Sequence, residues 1–447
     1  MLKYENNPEA PALELISTAD LSDWMANAVP INSAWVSQAG FEAQPNQFVF
    51  LPAAHEEPNR VLVGIGDKPS IESIGALPSL LPPGAYQLNT NNKDIILGWG
   101  LGAYRFESYK TTKTGLRELY VGSQHVDVEH EISAVGISRD LINTPTSDML
   151  PHDLEGAARK IAIKHNATIE VTTGDELLLQ KYNTIHAVGR ASISSPRLID
   201  LQWGPSDGPS ITVVGKGVCF DSGGLNIKPA SNMRSMKKDM GGAATVLGLA
   251  DLIMAKKLPI RLRVLVPAVE NAIAGNAFRP GDVLTTYLGK TVEIDNTDAE
   301  GRLILCDALA LAVEENPDLL IDFATLTGAA RSALGTELPA MFSNDDSVAN
   351  DLIASGKKVM DPLWHMPLHE EYRYLLDSKI ADMVNSASTP YGGAITAALF
   401  LKEFVGNVPW VHFDVMGWNL RSRPAHPEGG EAMGLRAVYQ YLSDRFA

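Results

Sequence analysis

Ser210-Ile211-Thr212-Val213-Val214-Gly215-Lys216-Gly217-Val218-Cys219-Phe220-Asp221 is the stretch that decides the fold. From Ser210 to Gly215 the branched residues run continuously instead of alternating, as in a strand buried on both faces. The strand then hands Lys216, Asp221 and Lys228 to glycine-broken loops. In open α/β sheets, ligands sit beyond the carboxyl edge in that position.

Working outward, strands and helices alternate. Ile142-Asn143-Thr144-Pro145 breaks one helix, and Pro151 opens another that runs toward Lys164. Ala167 to Val171 is a short strand, and Ile185 to Gly189 leads into a further one, Arg197 to Leu201. Met240 to Lys257 has helical spacing, with Ala243, Val246, Leu247, Ala250 and Ile253 as an inner stripe. Arg261 to Val266 reads as a strand, Arg302 to Glu315 as a helix, and Asp318 to Thr325 as a buried strand. The expected class is α/β, a mixed, largely parallel sheet flanked by helices.

The first part of the chain has short apolar runs separated by Pro, Gly and Asn. Phe48 to Leu51, Val61 to Ile65 and Asp94 to Gly98 read as strands, and Ala103 to Lys110 as helical. We expect a smaller α/β domain over residues 1–125 and a catalytic domain over 126–447, joined by a linker or helix start at Gln124 to Glu131. A chain of 447 residues, 45% hydrophobic, can bury cores of that size.

The 37 Lys and Arg against 53 Asp and Glu give a net charge of −16 with no basic stripe. That argues against nucleic acid as a partner. Two cysteines exclude a disulfide framework. No run is long and apolar enough to span a bilayer, and the start lacks a signal-type apolar core. We expect a cytoplasmic protein with no membrane partner.

Two polar stretches lie among apolar residues. The first supplies Lys216, Asp221, Lys228 and Asp239; the second is Asn296-Thr297-Asp298-Ala299-Glu300-Gly301-Arg302. Carboxylates in apolar surroundings need partners, and divalent ions serve several at once. Asp298 and Glu300 are two apart, so an extended backbone aims both the same way. Four carboxylates offset two divalent ions, and a lysine amine can ligate as well. The plainer readings are a helix cap for Asp239 and a capping turn with a surface ion pair for residues 296–302. His365 and His369, four apart, lack the His-Glu-x-x-His order, and Pro367 separates them. His412 and Asp414 read as satisfied interior groups. Met236 fits an adaptable apolar subsite or the core.

Val214 to Pro229, Lys238 to Ala244 and Asn296 to Leu303 resemble, in sequence and spacing, three signatures of the leucyl aminopeptidases, the cytosol aminopeptidase (M17) family. The likeness runs from about Arg139 to Val415, while the first domain carries no motif that can be matched. The resemblance implies a metal-dependent exopeptidase acting on peptides with a free amino terminus, leucine-like residues preferred. It makes Lys216, Asp221, Asp239 and Glu300 ligands of one metal and Asp221, Asp298 and Glu300 ligands of the other, with Mn²⁺, Zn²⁺ or Mg²⁺ as the ions. It gives Lys228 and Arg302 catalytic roles, Arg302 holding a bicarbonate, and places Met236, Thr325 and Gly328 in a side-chain pocket. It also implies a homohexamer. Ser422 to Gly430 departs from the family's usual ending. A DNA-binding or scaffold relative of the fold and a two-metal phosphoesterase are the alternatives.

Overall fold

The computed structural model describes residues 1–52, 60–110 and 115–447. The chain divides into two compact units, Met1–Gly136 with Leu420–Glu428, and Ile137–Asn419 with Gly429–Ala447.

Among the described residues, the second unit holds a nine-stranded sheet. Its order is Trp364–His365, Ala340–Ser343, Trp410–Asp414, Leu319–Ala324, Ser210–Gly215, Arg261–Asn271, Arg197–Trp203 and Thr168–Thr173. The ninth strand, Gly217–Asp221, pairs in parallel with the far end of Arg261–Asn271. Ser210–Gly215 is central and parallel to both neighbours, and every residue in it is buried. Its continuous branched run has the cause expected, since neither face meets water.

Helices Gly241–Ala255 and Glu300–Val313 are almost wholly buried. Their apolar residues therefore surround the axis instead of forming one stripe. Leu303 to Cys306 and Ala308 to Ala312 join Leu320, Ala324, Leu399 to Leu401 and Trp410 in the main core.

The first unit is a six-stranded sheet among the described residues, ordered Leu2–Lys3, Arg117–Tyr120, Gly84–Leu88, Ala12–Ile16, Arg60–Gly64 and Phe48–Phe50. Only Phe48–Phe50 runs antiparallel to its neighbour. Leu420–Glu428 belongs to this unit. A Cβ on Gly75 would stand 2.4 Å from the Ala425 nitrogen, which is how closely the segment packs.

Several sequence expectations are corrected. Asp94 to Gly98 is helical, inside Lys93–Gly102. Every residue from Ile95 to Leu101 is buried, so no period separates helix from strand. The deciding signal is Asn92, whose side chain accepts from the amides of Asp94 and Ile95. Ala103 to Lys110 is irregular, since that helix has already ended at Gly102. Ile185 to Gly189, to which the sequence assigns no element, lies in the helix Asn183–Gly189, whose first turn is pinned by Asp307 accepting from the Thr184 amide. Of the two expectations for Gln124 to Glu131, the helix start holds: 3₁₀ helix leads there into the helix Glu129–Asn143. His365 and His369 share no helix, the first lying on a short strand and the second before a 3₁₀ turn.

Candidate metal centre

The site forms where the two polar stretches meet at the carboxyl ends of the central strands. Lys216 directly follows Ser210–Gly215, at the join with Gly217–Asp221, which puts Asp221 on a strand end and not on a loop. The chain then turns through Gly223, at φ +87°, where a Cβ would meet the Asn226 carbonyl oxygen at 2.4 Å. Asp239 lies in the 3₁₀ turn Met236–Met240, ahead of the helix Gly241–Ala255, and makes no cap hydrogen bond to that helix. Glu300 opens the helix Glu300–Val313.

Oxygens of Asp221, Asp298 and Glu300 lie within 4.8 Å of one another. The Lys216 ammonium contacts Asp239 at 2.8 Å and Glu300 at 3.0 Å, and donates to the Thr325 carbonyl at 3.2 Å. Lys228 contacts Asp221 at 2.7 Å and Asp298 at 2.5 Å. A Cβ at Gly301 would stand 2.7 Å from the Lys216 Nζ, so a side chain there would push that ammonium aside. Asp221, Asp239 and Glu300 are buried, while the Asp298 side chain keeps 32% of its exposure and faces the open side.

The electrostatics are those of too many acids in too dry a place. Burial, then Asp221, pushes Glu300 up to about 8 and Asp298 up to about 6. Burial also opposes charge on Asp239, but Lys216 outweighs it and holds that carboxyl below its usual range. Both lysines are raised: burial disfavours their charge, and the surrounding carboxylates overcome it. Burial lowers Arg302 to about 10; one of its guanidinium nitrogens donates to the Asn385 carbonyl at 2.8 Å.

Four carboxylates and a lysine amine converge here, and the buried Oε2 of Glu300 has no hydrogen-bond partner. Leaving such an oxygen unpaired costs about 1–3 kcal/mol, more when it is charged. This donor set suits hard divalent cations, so the residues fit a metal pair.

Sequence reading missed the groups that hold the two stretches together. Asn271 donates to Asp221 at 2.8 Å and to the Thr297 carbonyl at 3.0 Å. Thr297 donates to the Gly223 carbonyl at 2.6 Å and receives the Asn226 amide at 2.9 Å. Asn385 accepts from the amides of Asp295 and Asn296 and donates to the carbonyls of Asn296 and Ala299. A lone Asn far along the chain carries no signal of this kind.

Of the expected pocket residues, Met236 is buried in the turn that bears Asp239, and the Thr325 hydroxyl donates to Asp239 at 2.7 Å. Gly328 is exposed at the start of the helix Gly328–Leu334, with nothing near the position a Cβ would take. His412 is fully buried, 2.6 Å from Asp322, which also accepts from the Trp410 indole. Cys219 and Cys306 are buried, and burial raises both thiols, so neither is a nucleophile.

Residues 136–439 match the profile described as the cytosol aminopeptidase family, catalytic domain. The chain belongs to the cytosol aminopeptidase family. Residues 11–121, where the sequence offered no recognisable motif, match the M17 aminopeptidase N-terminal domain. A probable cytosol aminopeptidase of Roseiflexus castenholzii is 40% identical over 365 residues, covering 77% of this chain and 74% of that protein. The crystal structure of cytosol aminopeptidase from Coxiella burnetii superposes with a TM-score of 0.95 at 45% identity, covering 100% of this chain and 99% of the other. The bottromycin maturation enzyme BotP in complex with Mn gives 0.89 at 30% identity, over 98% and 100% of the two chains. This cytosol aminopeptidase family member is a metal-dependent exopeptidase with a candidate metal cluster at Asp221, Asp298 and Glu300. Among the described residues no helix is long and apolar enough to cross a membrane.

The raised carboxyls give a pH signature in chelated protein. Glu300 has a folded value near 8 against an ordinary 4.5, so the stability it lends is complete below about pH 4.5 and is lost as pH rises through 8. Asp298 acts in the same sense, as does Asp307, pushed up to about 6 by burial. Lys238, lowered to about 7 by burial, begins to act in the opposite sense only above that pH. Between about pH 5 and 7, stability to denaturant should therefore fall, by up to about 1.4 kcal/mol per pH unit for each proton involved. Saturating Mn²⁺ should flatten the slope. A stability that rises with pH in chelated protein would contradict these assignments.

Proposed function

We propose that this enzyme removes leucine-like amino-terminal residues from peptides with two divalent ions held by Lys216, Asp221, Asp239, Asp298 and Glu300. The observation that carries the reading is the convergence of four carboxylates and two lysines around the unpaired Glu300 oxygen. When bound, the ions supply Lewis-acid polarisation of the scissile carbonyl and a lowered pKa for water.

The chain's own groups complete the chemistry. Lys228 stays protonated because Asp221, Glu300 and Asp239 outweigh its burial, so it can donate to the oxyanion that develops on the carbonyl. Arg302 keeps its charge, with Asn385 fixing one nitrogen, while its buried Nε has no partner and is free for a small anion. Bicarbonate suits that donor and would carry a proton toward the leaving amine. Met236, Thr325 and Gly328 form the apolar pocket. Each methylene-sized difference there is worth only ~1–3 kcal/mol, so specificity is broad.

Mn²⁺ is the first ion to test, since the related BotP was solved with Mn; Zn²⁺ and Mg²⁺ follow. The relatives' name supports a cytosolic setting, and the family resemblance supports a homohexamer, measurable by light scattering. The test of function is a screen of amino-acid amides and peptides with each metal. Release of leucine from leucine amide, with none from an amino-terminally acetylated peptide, is the expected result; no release with any metal would overturn it. Arg302→Ala should slow turnover about 10- to 100-fold with metal content unchanged, and added bicarbonate should no longer stimulate. Loss of metal from that variant would place Arg302 differently.

A further inference from the structure

Asp414 ends the strand Trp410–Asp414 and is buried beside the loop that follows Leu319–Ala324. Its Oδ1 accepts from the amides of Leu326 at 3.0 Å and Thr327 at 3.1 Å, and its Oδ2 from the Thr327 hydroxyl at 2.6 Å. That hydroxyl in turn accepts the Ala330 amide at 3.0 Å, capping the helix that begins at Gly328. One residue before the clamp, Thr325 gives its hydroxyl to Asp239 and its carbonyl to Lys216.

A single carboxylate thus fixes the turn between two things: the Thr325 link to the metal-binding side chains, and the Gly328 edge of the side-chain pocket. We propose that Asp414 is a positioning residue that sets the enzyme's preference among amino-terminal side chains by holding Leu326, Thr327 and the start of the Gly328 helix at a fixed distance from Asp239. The proposal rests on the reading of Met236, Thr325 and Gly328 as the pocket. Asp414 touches no ligand of the metals, so its loss acts on pocket geometry and leaves the ions in place. Charge–dipole hydrogen bonds to two backbone amides are among the stronger local restraints, and their removal leaves that turn free to drift. A drift of about 1 Å suffices to spoil discrimination between similar side chains.

The test compares leucine amide with alanine amide at saturating Mn²⁺. In the unaltered enzyme the ratio of kcat/KM values should be about tenfold or more. Asp414→Ala should bring it to within about threefold of unity, chiefly through KM for the larger substrate, with metal content unchanged. Asp414→Asn, whose Oδ1 still accepts both amides, should keep most of the preference. Thr327→Val, which retains the side-chain shape and loses the cap, should move the ratio in the same direction as Asp414→Ala. It serves as the measurement if that variant does not fold. Leu442→Ala, a core truncation in the last helix, controls for general loosening and should leave the ratio alone.

A ratio unchanged in both Asp414→Ala and Thr327→Val, with only a uniform fall in rate, would overturn the role of Asp414. So would an Asn variant as impaired as Ala. A ratio near unity in the unaltered enzyme would overturn the pocket reading itself.

Discussion

Asp298→Ala should abolish peptide hydrolysis, with kcat/KM down by at least about a thousandfold, or ~4 kcal/mol of transition-state stabilisation. Bound metal should fall with it. The variant suits the test because Asp298 is the least buried of the four carboxylates, with 32% of its side chain exposed. Removing it leaves Lys228 still paired with Asp221 at 2.7 Å. The fold should therefore survive, whereas Asp221 and Glu300 are almost fully buried, so truncating either leaves a void in the interior. Metal analysis by mass spectrometry beside the kinetic assay decides the matter; full occupancy with normal turnover would remove Asp298 from the metal centre.

Lys228→Ala should lower kcat by about 10²- to 10³-fold, the usual effect of losing one preorganised donor to a developing oxyanion. KM for leucine amide should change much less, because the donation strengthens as charge builds on the oxygen. Metal content should stay intact or rise in affinity, since the ammonium competes with cations for Asp221 and Asp298. Lys228→Arg is not a rescue: a planar fork replaces a compact charge in a site where only 13% of the Lys228 side chain is exposed. A KM effect alone would reassign Lys228 to ground-state binding.

Much of the catalytic unit was legible because its strands are buried on both faces. Ser210 to Gly215 and Asp318 to Thr325 announce themselves by continuous apolar composition, and their neighbours carry Lys216 and Thr325 to one edge. The acids were legible for a related reason: a carboxylate flanked by Val, Ala and Gly is out of place unless something offsets it. What failed was helix against strand in a short, fully buried run. Ile95 to Leu101 shows no polar face to set a period, and the cap that decides it, Asn92, is a single side chain. The supporting shell was illegible for a different reason. Asn385 and Asn271 work through contacts 83 and 50 residues away, to Arg302 and Asp221, which no local pattern encodes.

The inclusion of Leu420–Glu428 in the amino-terminal unit carries a consequence for how the chain is made. Everything up to Glu428 must leave the ribosome before that unit has all its pieces, although among the described residues its sheet comes entirely from the first 120. The first unit to be synthesised is thus among the last to be completed. A fragment cut after Gly136 would lack the strap that lies against Gly75, and one begun at Ile137 would carry nine residues with nowhere to dock. Separating the halves at the obvious seam would leave both unfinished.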